Sequence, residues 1–211
     1  MSSVHEDDSV LAHLVFGRGV GLKPEDATTE ALVYVLNRSE AVRRRLHELV
    51  SSVTGLPLAP VQRYETQVQQ AENQRPDIVG YSATNQQVLL IENKFWADLT
   101  DNQPVAYLRV LESDEPGIVL FVCPSTRLDL LWTYLLDRVN MAAIIIDNKT
   151  DDSTRINDPR SILLQRGHHA LGCISWNRLL RELRQAAQDA NVGTLGMQSV
   201  LDYDRLMGQQ S

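Results

Sequence analysis

Two acids and a lysine carry the chemistry this sequence offers. Asp77, Glu92 and Lys94 lie in the stretch from Arg75 to Lys94, which otherwise holds two runs of β-branched and aliphatic residues around a polar turn. Asp77 to Ser82 and Gln87 to Asn93 read as strands that meet at Ala83-Thr84-Asn85-Gln86. With Thr84 and Asn85 at the turn centre, Asp77 faces Glu92, Val79 faces Leu90 and Tyr81 faces Val88. Opposed residues project to one face, and Lys94, two beyond Glu92, joins them there. Ile78, Leu89 and Ile91 line the other face, so the hairpin is expected to be covered on both sides. Two like charges placed across from one another repel, and each is costly to desolvate. A divalent cation relieves both costs. Mg²⁺ takes one or two carboxylates and completes its shell with water and phosphate oxygens. Lys94 then adds positive charge where an attacking water or a phosphate oxygen would lie. The plainer alternative is a Lys–Glu surface pair at a strand end, with Asp77 a turn former after Pro76.

Pro76-Asp77 followed by Glu92-Asn93-Lys94 resembles the PD-(D/E)XK signature of the restriction-endonuclease-like nuclease superfamily. The resemblance implies a Mg²⁺-dependent phosphodiesterase core, with Mn²⁺ as a substitute. In it Asp77 and Glu92 bind metal, the backbone carbonyl of Asn93 adds a ligand, and Lys94 positions or activates water. Glu30 is the only charged residue between Ala27 and Asn37. The phrase Thr29 to Leu32 is similar to the helix that precedes the core sheet in such proteins, which implies that Glu30 faces the metal. Its alternative role is an acid near a helix start, favourable to the macrodipole. Glu65 and Glu72 are spare carboxylates for the same place. Gln103 and Tyr107 are one helical turn apart and resemble the Gln-x-x-x-Tyr motif of one branch of the superfamily. That match implies a DNA-phosphate contact or support for Lys94, and the alternative for Tyr107 is simple packing. Pro104 falls inside the motif, in what is read as a helix's first turn.

Other elements must position these residues. Lys23 to Asp26 opens a helix, with Asp26 as its expected N-cap, running to Asn37. Ser39 to Val53 is an amphipathic helix with Val42, Leu46, Leu49, Val50 and Val53 as its apolar stripe. Val61 to Gln70 alternates as an edge strand. Thr100 to Glu112 is a helix; Gly117 to Cys123 is a continuous apolar run, hence a buried parallel strand. Leu128 to Val139 is a helix and Met141 to Ile146 a strand. Asp147 to Ser161 reads as a long polar loop whose Asp151-Asp152 is a solvated acidic pair. His168 and His169 are expected at the surface. Leu171 to Ser175 is a short strand, and Trp176 to Asp189 a helix with Leu179, Leu180, Leu183 and Ala187 inward. The alternation predicts an α/β fold with a central mixed sheet flanked by helices on both faces, and the resemblance implies a restriction-endonuclease-like core.

The 211 residues suit one domain with a substantial core. The expected organisation is an N-terminal extension over 1–24, the nuclease-like domain over 25–190, and a linker with a C-terminal helix over 191–211. Gly17, Gly19 and Gly21 lack the Lys-Ser/Thr of a P-loop and read as an ordinary loop. No run approaches a membrane span, the start Met1 to Asp8 is unlike a leader, and Cys123 and Cys173 sit in apolar runs. A cytoplasmic protein with two buried thiols is expected. The net charge of −7 excludes a globally basic nucleic-acid surface. Arg43 to Arg45, and Arg178, Arg181 and Arg184, are the two local basic candidates. The expected function is therefore a Mg²⁺-dependent nuclease acting on DNA, with RNA as a second substrate class. The alternative is a catalytically silent nuclease fold serving as a binding or scaffold subunit of a defence or restriction complex. The terminal helix, with Leu201, Tyr203, Leu206 and Met207, would dock on this domain, on another copy or in a larger complex.

Overall fold

The computed structural model describes residues 24–68, 75–95, 97–100, 102–111, 115–144, 146–149, 159–164 and 168–189. Residues 1–23 of the extension, Glu72, Asp151-Asp152 and the terminal helix fall outside the described residues, and the extension's last residue, Pro24, belongs to the first helix. The chain opens with α1 (Pro24–Arg38) and α2 (Glu40–Thr54), followed by β1 (Arg63–Thr66), β2 (Ile78–Tyr81) and β3 (Gln87–Asn93). Next come α3 (Val105–Val110), β4 (Gly117–Cys123), α4 (Leu128–Met141), β5 (Ile146–Lys149), β6 (Arg160–Leu164), β7 (His169–Ser175) and α5 (Trp176–Asp189). The strands form one sheet in the order β1-β2-β3-β4-β7-β6-β5. β3, β4 and β7 run parallel at its centre, and antiparallel pairs complete it on either side. The molecule is an α/β protein with a mixed, open sheet.

Burial explains why the middle strands are parallel. All seven residues of β4 and all seven of β7 are buried, as strands covered on both faces must be. Along β4 the side chains alternate between two cores. Ile118, Leu120 and Val122 pack with α1, α2 and α5. Val119, Phe121 and Cys123 pack with α3 and α4. Cys123 and Cys173 are free, buried thiols with Sγ atoms 4.0 Å apart.

The helices follow their signals with small shifts. Ser39 caps α2 by accepting the Val42 N–H, and Gly55 ends it at φ 69, a conformation that suits glycine. α1 begins two residues before the expected cap: Pro24 starts the helix, where its missing N–H costs nothing, and Asp26 lies inside its first turn. α3 starts only at Val105, with Pro104 at the cap position.

Four expectations fail in the second half. α4 continues to Met141, Ala143 turns at φ 54, and the strand is Ile146–Lys149 rather than Met141 to Ile146. The supposed loop from Asp147 to Ser161 contributes residues to β5 and β6 at its two ends. β6 itself was unanticipated. The strand read as Leu171 to Ser175 begins at His169, which is 3% exposed and therefore not a surface residue.

Candidate active site at the end of the third strand

The β2–β3 hairpin sets the register of the site. Ile78 pairs with Ile91, Val79 with Leu90 and Gly80 with Leu89, so the preceding Asp77 comes level with Glu92. The expected pairing fails at the turn. The register shifts after Gly80, Tyr81 pairs with Gln87 rather than Val88, and Val88 joins the core on the opposite face from Tyr81. The turn is wider than two residues: the Ser82 N–H donates to Gln86 O at 2.9 Å, and Asn85 sits at φ 66. Asparagine tolerates that backbone. The irregularity is confined to the turn end and leaves the acid-bearing end in place.

Asp77 is held by backbone on two sides. Its Oδ2 accepts the Asn93 N–H at 2.6 Å, and its carbonyl accepts the Gln67 N–H at 3.0 Å. In a strand the N–H and C=O of one residue point to the same neighbour, so the Asn93 carbonyl oxygen also faces the Asp77 side. Lys94 continues the ladder by donating its N–H to Val122 O at 2.8 Å. Phe95 then stacks on Trp176 at 5.2 Å between ring centres and anchors the chain as it leaves the site.

Glu92 and Lys94 are almost wholly buried, at 6% and 5% exposure. A buried carboxylate requires partners, and Glu92 has three. Lys94 Nζ lies 3.0 Å from Oε1, Gln103 Nε2 donates to Oε1 at 2.8 Å, and Tyr107 OH donates to Oε2 at 2.9 Å. Gln103 Nε2 is also 2.9 Å from the Tyr107 hydroxyl. The Gln103 amide cannot flip without loss, because its Oε1 accepts the Thr100 N–H at 3.2 Å. Burial, then the nearby charge of Glu92, pushes the Tyr107 phenol far above its ordinary value. Tyr107 therefore remains a neutral donor to the carboxylate. Gln103 and Tyr107 thus meet Glu92 directly, with the proline between them at the helix start.

No family model, no curated protein and no solved structure matches this chain.

Glu30 lies on the other side of the sheet end. It is buried, and its Oε1 accepts the Thr66 hydroxyl at 2.7 Å. One residue earlier, Thr29 Oγ1 accepts a hydrogen bond from Asn93 Nδ2 at 2.7 Å, while Asn93 Oδ1 is buried without a hydrogen-bond partner among the described residues. α1 is therefore tied to the last residue of β3. Among the described residues no three His, Cys, Asp or Glu side chains gather to hold an ion together, so Glu30 does not complete a three-acid cluster with Asp77 and Glu92. Glu65 pairs with Arg63 at 2.9 Å on the edge strand.

Of the two basic candidates, Arg43, Arg44, Arg45 and Arg178 are committed to other work. Arg43 donates to the carbonyls of Leu36 and Asn37, Arg44 lies 3.9 Å from Glu48, and Arg45 and Arg178 both pair with Glu182. These residues belong to α2 and α5, on the sheet face away from Glu92. The supporting arginines are Arg127 and Arg138, which the sequence reading passed over. Arg127 donates to Phe95 O at 2.7 Å and to Ala97 O at 3.3 Å. Arg138 donates to the carbonyls of Leu99, Thr100 and Gln103. Together they hold the segment between Lys94 and Gln103. Arginines on a surface helix give no sign in sequence of which carbonyls they will meet. Among the described residues no helix is long and apolar enough to cross a membrane.

Proposed function

We propose that this chain is a Mg²⁺-dependent nuclease with a restriction-endonuclease-like core that hydrolyses DNA phosphodiester bonds. The observation that carries the reading is the buried Glu92–Lys94 pair at the end of a central strand, level with Asp77 and braced by Gln103 and Tyr107. An acid pair with a lysine is costly to bury for stability alone; a polar network of this kind at a strand end is a functional arrangement first.

The donors suit a hard cation. Asp77 and Glu92 supply carboxylate oxygens, and the Asn93 carbonyl faces the same side. A carboxylate offers about four lone-pair positions, so the three bonds to Glu92 leave one on Oε2. Mg²⁺ held there would supply Lewis acidity and a water of lowered pKa. Lys94 places its ammonium beside Glu92, where it neutralises charge growing on the phosphoryl oxygens as water attacks and the ester P–O bond breaks. Gln103 and Tyr107 keep Glu92 in one orientation. The two free thiols suit a reducing compartment such as the cytoplasm.

Asp77→Ala, Glu92→Ala and Lys94→Ala are each expected to abolish Mg²⁺-dependent cleavage of labelled DNA while circular dichroism shows a folded chain. Cleavage that persists in purified Asp77→Ala protein would overturn the assignment. Parallel digests of duplex DNA, single-stranded DNA and RNA in Mg²⁺ and Mn²⁺ distinguish a DNase from an RNase on the same scaffold. The second reading, a silent nuclease fold acting as a binding or scaffold subunit, draws on the occupancy of Glu92, whose Oε1 already accepts both Lys94 and Gln103. Calorimetric titration with Mn²⁺ and Mg²⁺ decides: no heat of binding with all ligands intact favours the silent subunit.

A further inference from the structure

Gln103 reaches Glu92 from a stretch of chain that has no regular structure of its own. Between Asn93, where β3 ends, and Val105, where α3 begins, no described residue lies in a strand or a helix. Backbone carbonyls in such a stretch must find donors elsewhere. α4 supplies them. Its inner face is fixed in the core through Leu131, Trp132, Leu135 and Val139. Arg138 follows Arg127 by about three helical turns, so the two guanidiniums leave α4 on one side. Arg127 donates to the carbonyls of Phe95 and Ala97, and Arg138 to those of Leu99, Thr100 and Gln103.

The turn from Thr100 to Gln103 is what Arg138 closes. The Gln103 N–H donates to Thr100 O at 3.1 Å, and the Thr100 N–H donates back to Gln103 Oε1 at 3.2 Å. A single nitrogen of Arg138, Nη1, donates to Thr100 O and to Gln103 O, the latter at 3.3 Å. With Oε1 engaged by Thr100, the Gln103 amide presents Nε2 to Glu92 Oε1, 2.8 Å away. That same carboxylate oxygen lies 3.0 Å from Lys94 Nζ. Thr100 is exposed whereas Gln103 is buried, and Arg138 spans the two. We infer that Arg138 is a positioning residue for the Glu92–Lys94 centre, acting through this turn to aim the Gln103 amide. Its effect on cleavage rests on the nuclease reading; its effect on Gln103 does not. A planar guanidinium spreads its donors over several carbonyls, which the point-like ammonium of a lysine does less well.

Arg138→Ala, Arg138→Lys, Gln103→Ala and the Arg138→Ala/Gln103→Ala double variant are compared with wild type, each checked for folding by circular dichroism. Two quantities are read on the full chain: kcat and KM for Mg²⁺-dependent cleavage of labelled DNA, and the Gln103 side-chain amide by proton–nitrogen NMR, assigned by its loss in Gln103→Ala. Residues that orient a metal ligand cost about 10- to 100-fold when lost, and Arg138 stands one bond further back, so kcat should fall on the order of 10-fold in Arg138→Ala. KM should stay unchanged, and Arg138→Lys should recover part of the loss. The double variant should be no slower than Gln103→Ala, because both changes act through one amide. The Gln103 amide resonances should move in Arg138→Ala and stay in Asp129→Asn, which unties α4 from Arg160 and leaves the turn alone. Should Arg138→Ala unfold, Arg138→Gln and Arg138→Lys carry the same comparison. An unmoved Gln103 amide, wild-type kcat in an active background, or additive losses in the double variant overturn the role. A raised KM at unchanged kcat also overturns it, by putting Arg138 on the substrate instead. If the amide moves but wild-type protein cuts neither DNA nor RNA, the hold of Arg138 on Gln103 stands and the nuclease reading falls.

Discussion

Glu92 shows how the site is balanced at the residue scale. Its carboxylate is buried, and Lys94, Gln103 and Tyr107 together make that burial tolerable. Tyr107→Phe removes the donor to Oε2 while keeping the ring. A hydrogen bond to a charged group contributes roughly 1.5–3 kcal/mol, so urea unfolding should show a loss of that order, together with reduced cleavage. The variant also tests the phenol's titration. Its pKa is raised in the folded state, so the folded chain keeps a proton that the unfolded chain releases. The resulting stability is complete below pH 10.0, the ordinary tyrosine value, and declines as pH rises above it. Wild-type protein should lose more stability than Tyr107→Phe between pH 9 and 11. The pairing of Asp77 with Glu92 was legible because a turn centred on Thr84 and Asn85 gives the register that holds from Ile78 to Gly80. The bonds from Gln103 and Tyr107 to Glu92, in contrast, depend on where α3 lies over the sheet, which no local pattern encodes.

Elements are where the hairpin's irregularity matters. Gly80 stands at the shift in register, and a Cβ there would meet Val61 Cγ1 at 3.0 Å, Leu89 Cβ at 3.2 Å and Tyr64 Cε1 at 3.2 Å. Gly80→Ala must therefore displace the side chains of Val61 and Tyr64, at about 1–3 kcal/mol for an overpacked core. Chemical denaturation should show that loss. A Gly80→Ala protein as stable as wild type would mean that the close approach is easily relieved. The continuous apolar run of β4 and the inward leucines of α5 were readable because burial on both faces, and a helical stripe, each leave a pattern. The bulge after Gly80 was not, because a five-residue turn and a two-residue turn look alike in Ser82 to Gln86. Met141 to Ile146 misled for a different reason. Met141 is 86% exposed at the end of α4, so its apolar character reports no strand. β6 was hidden in the polar context of Asp158 to Ser161, since an edge-side strand of five residues offers little periodicity.

Across the whole molecule, charge ties α2 to α5. Burial raises the Glu182 pKa, but the hydrogen bond from Arg45 and the charges of Arg178, Arg45 and Arg181 outweigh it, and the carboxyl titrates below its ordinary value. A lowered folded-state pKa gives stability that is complete above the unfolded value of 4.5 and is lost as pH falls through the folded one. Melting temperature followed downward from pH 6 should fall more steeply in wild type than in Glu182→Gln below about pH 4.5. Equal acid limbs would show that the pair adds nothing. The central strands come from distant parts of the chain, and the order of the sheet places β7 between β4 and β6. Among the described residues β7 is the last strand made during synthesis, yet it lies between β4 and β6. Until residue 175 has left the ribosome, one side of Gly117–Cys123 has no hydrogen-bonding neighbour, although every residue needed around Glu92 has already emerged. A stalled chain of that length would expose a sticky, fully apolar ribbon next to an assembled acid–lysine centre. Shielding of that ribbon, rather than construction of the centre, is then the demanding step in the birth of this protein.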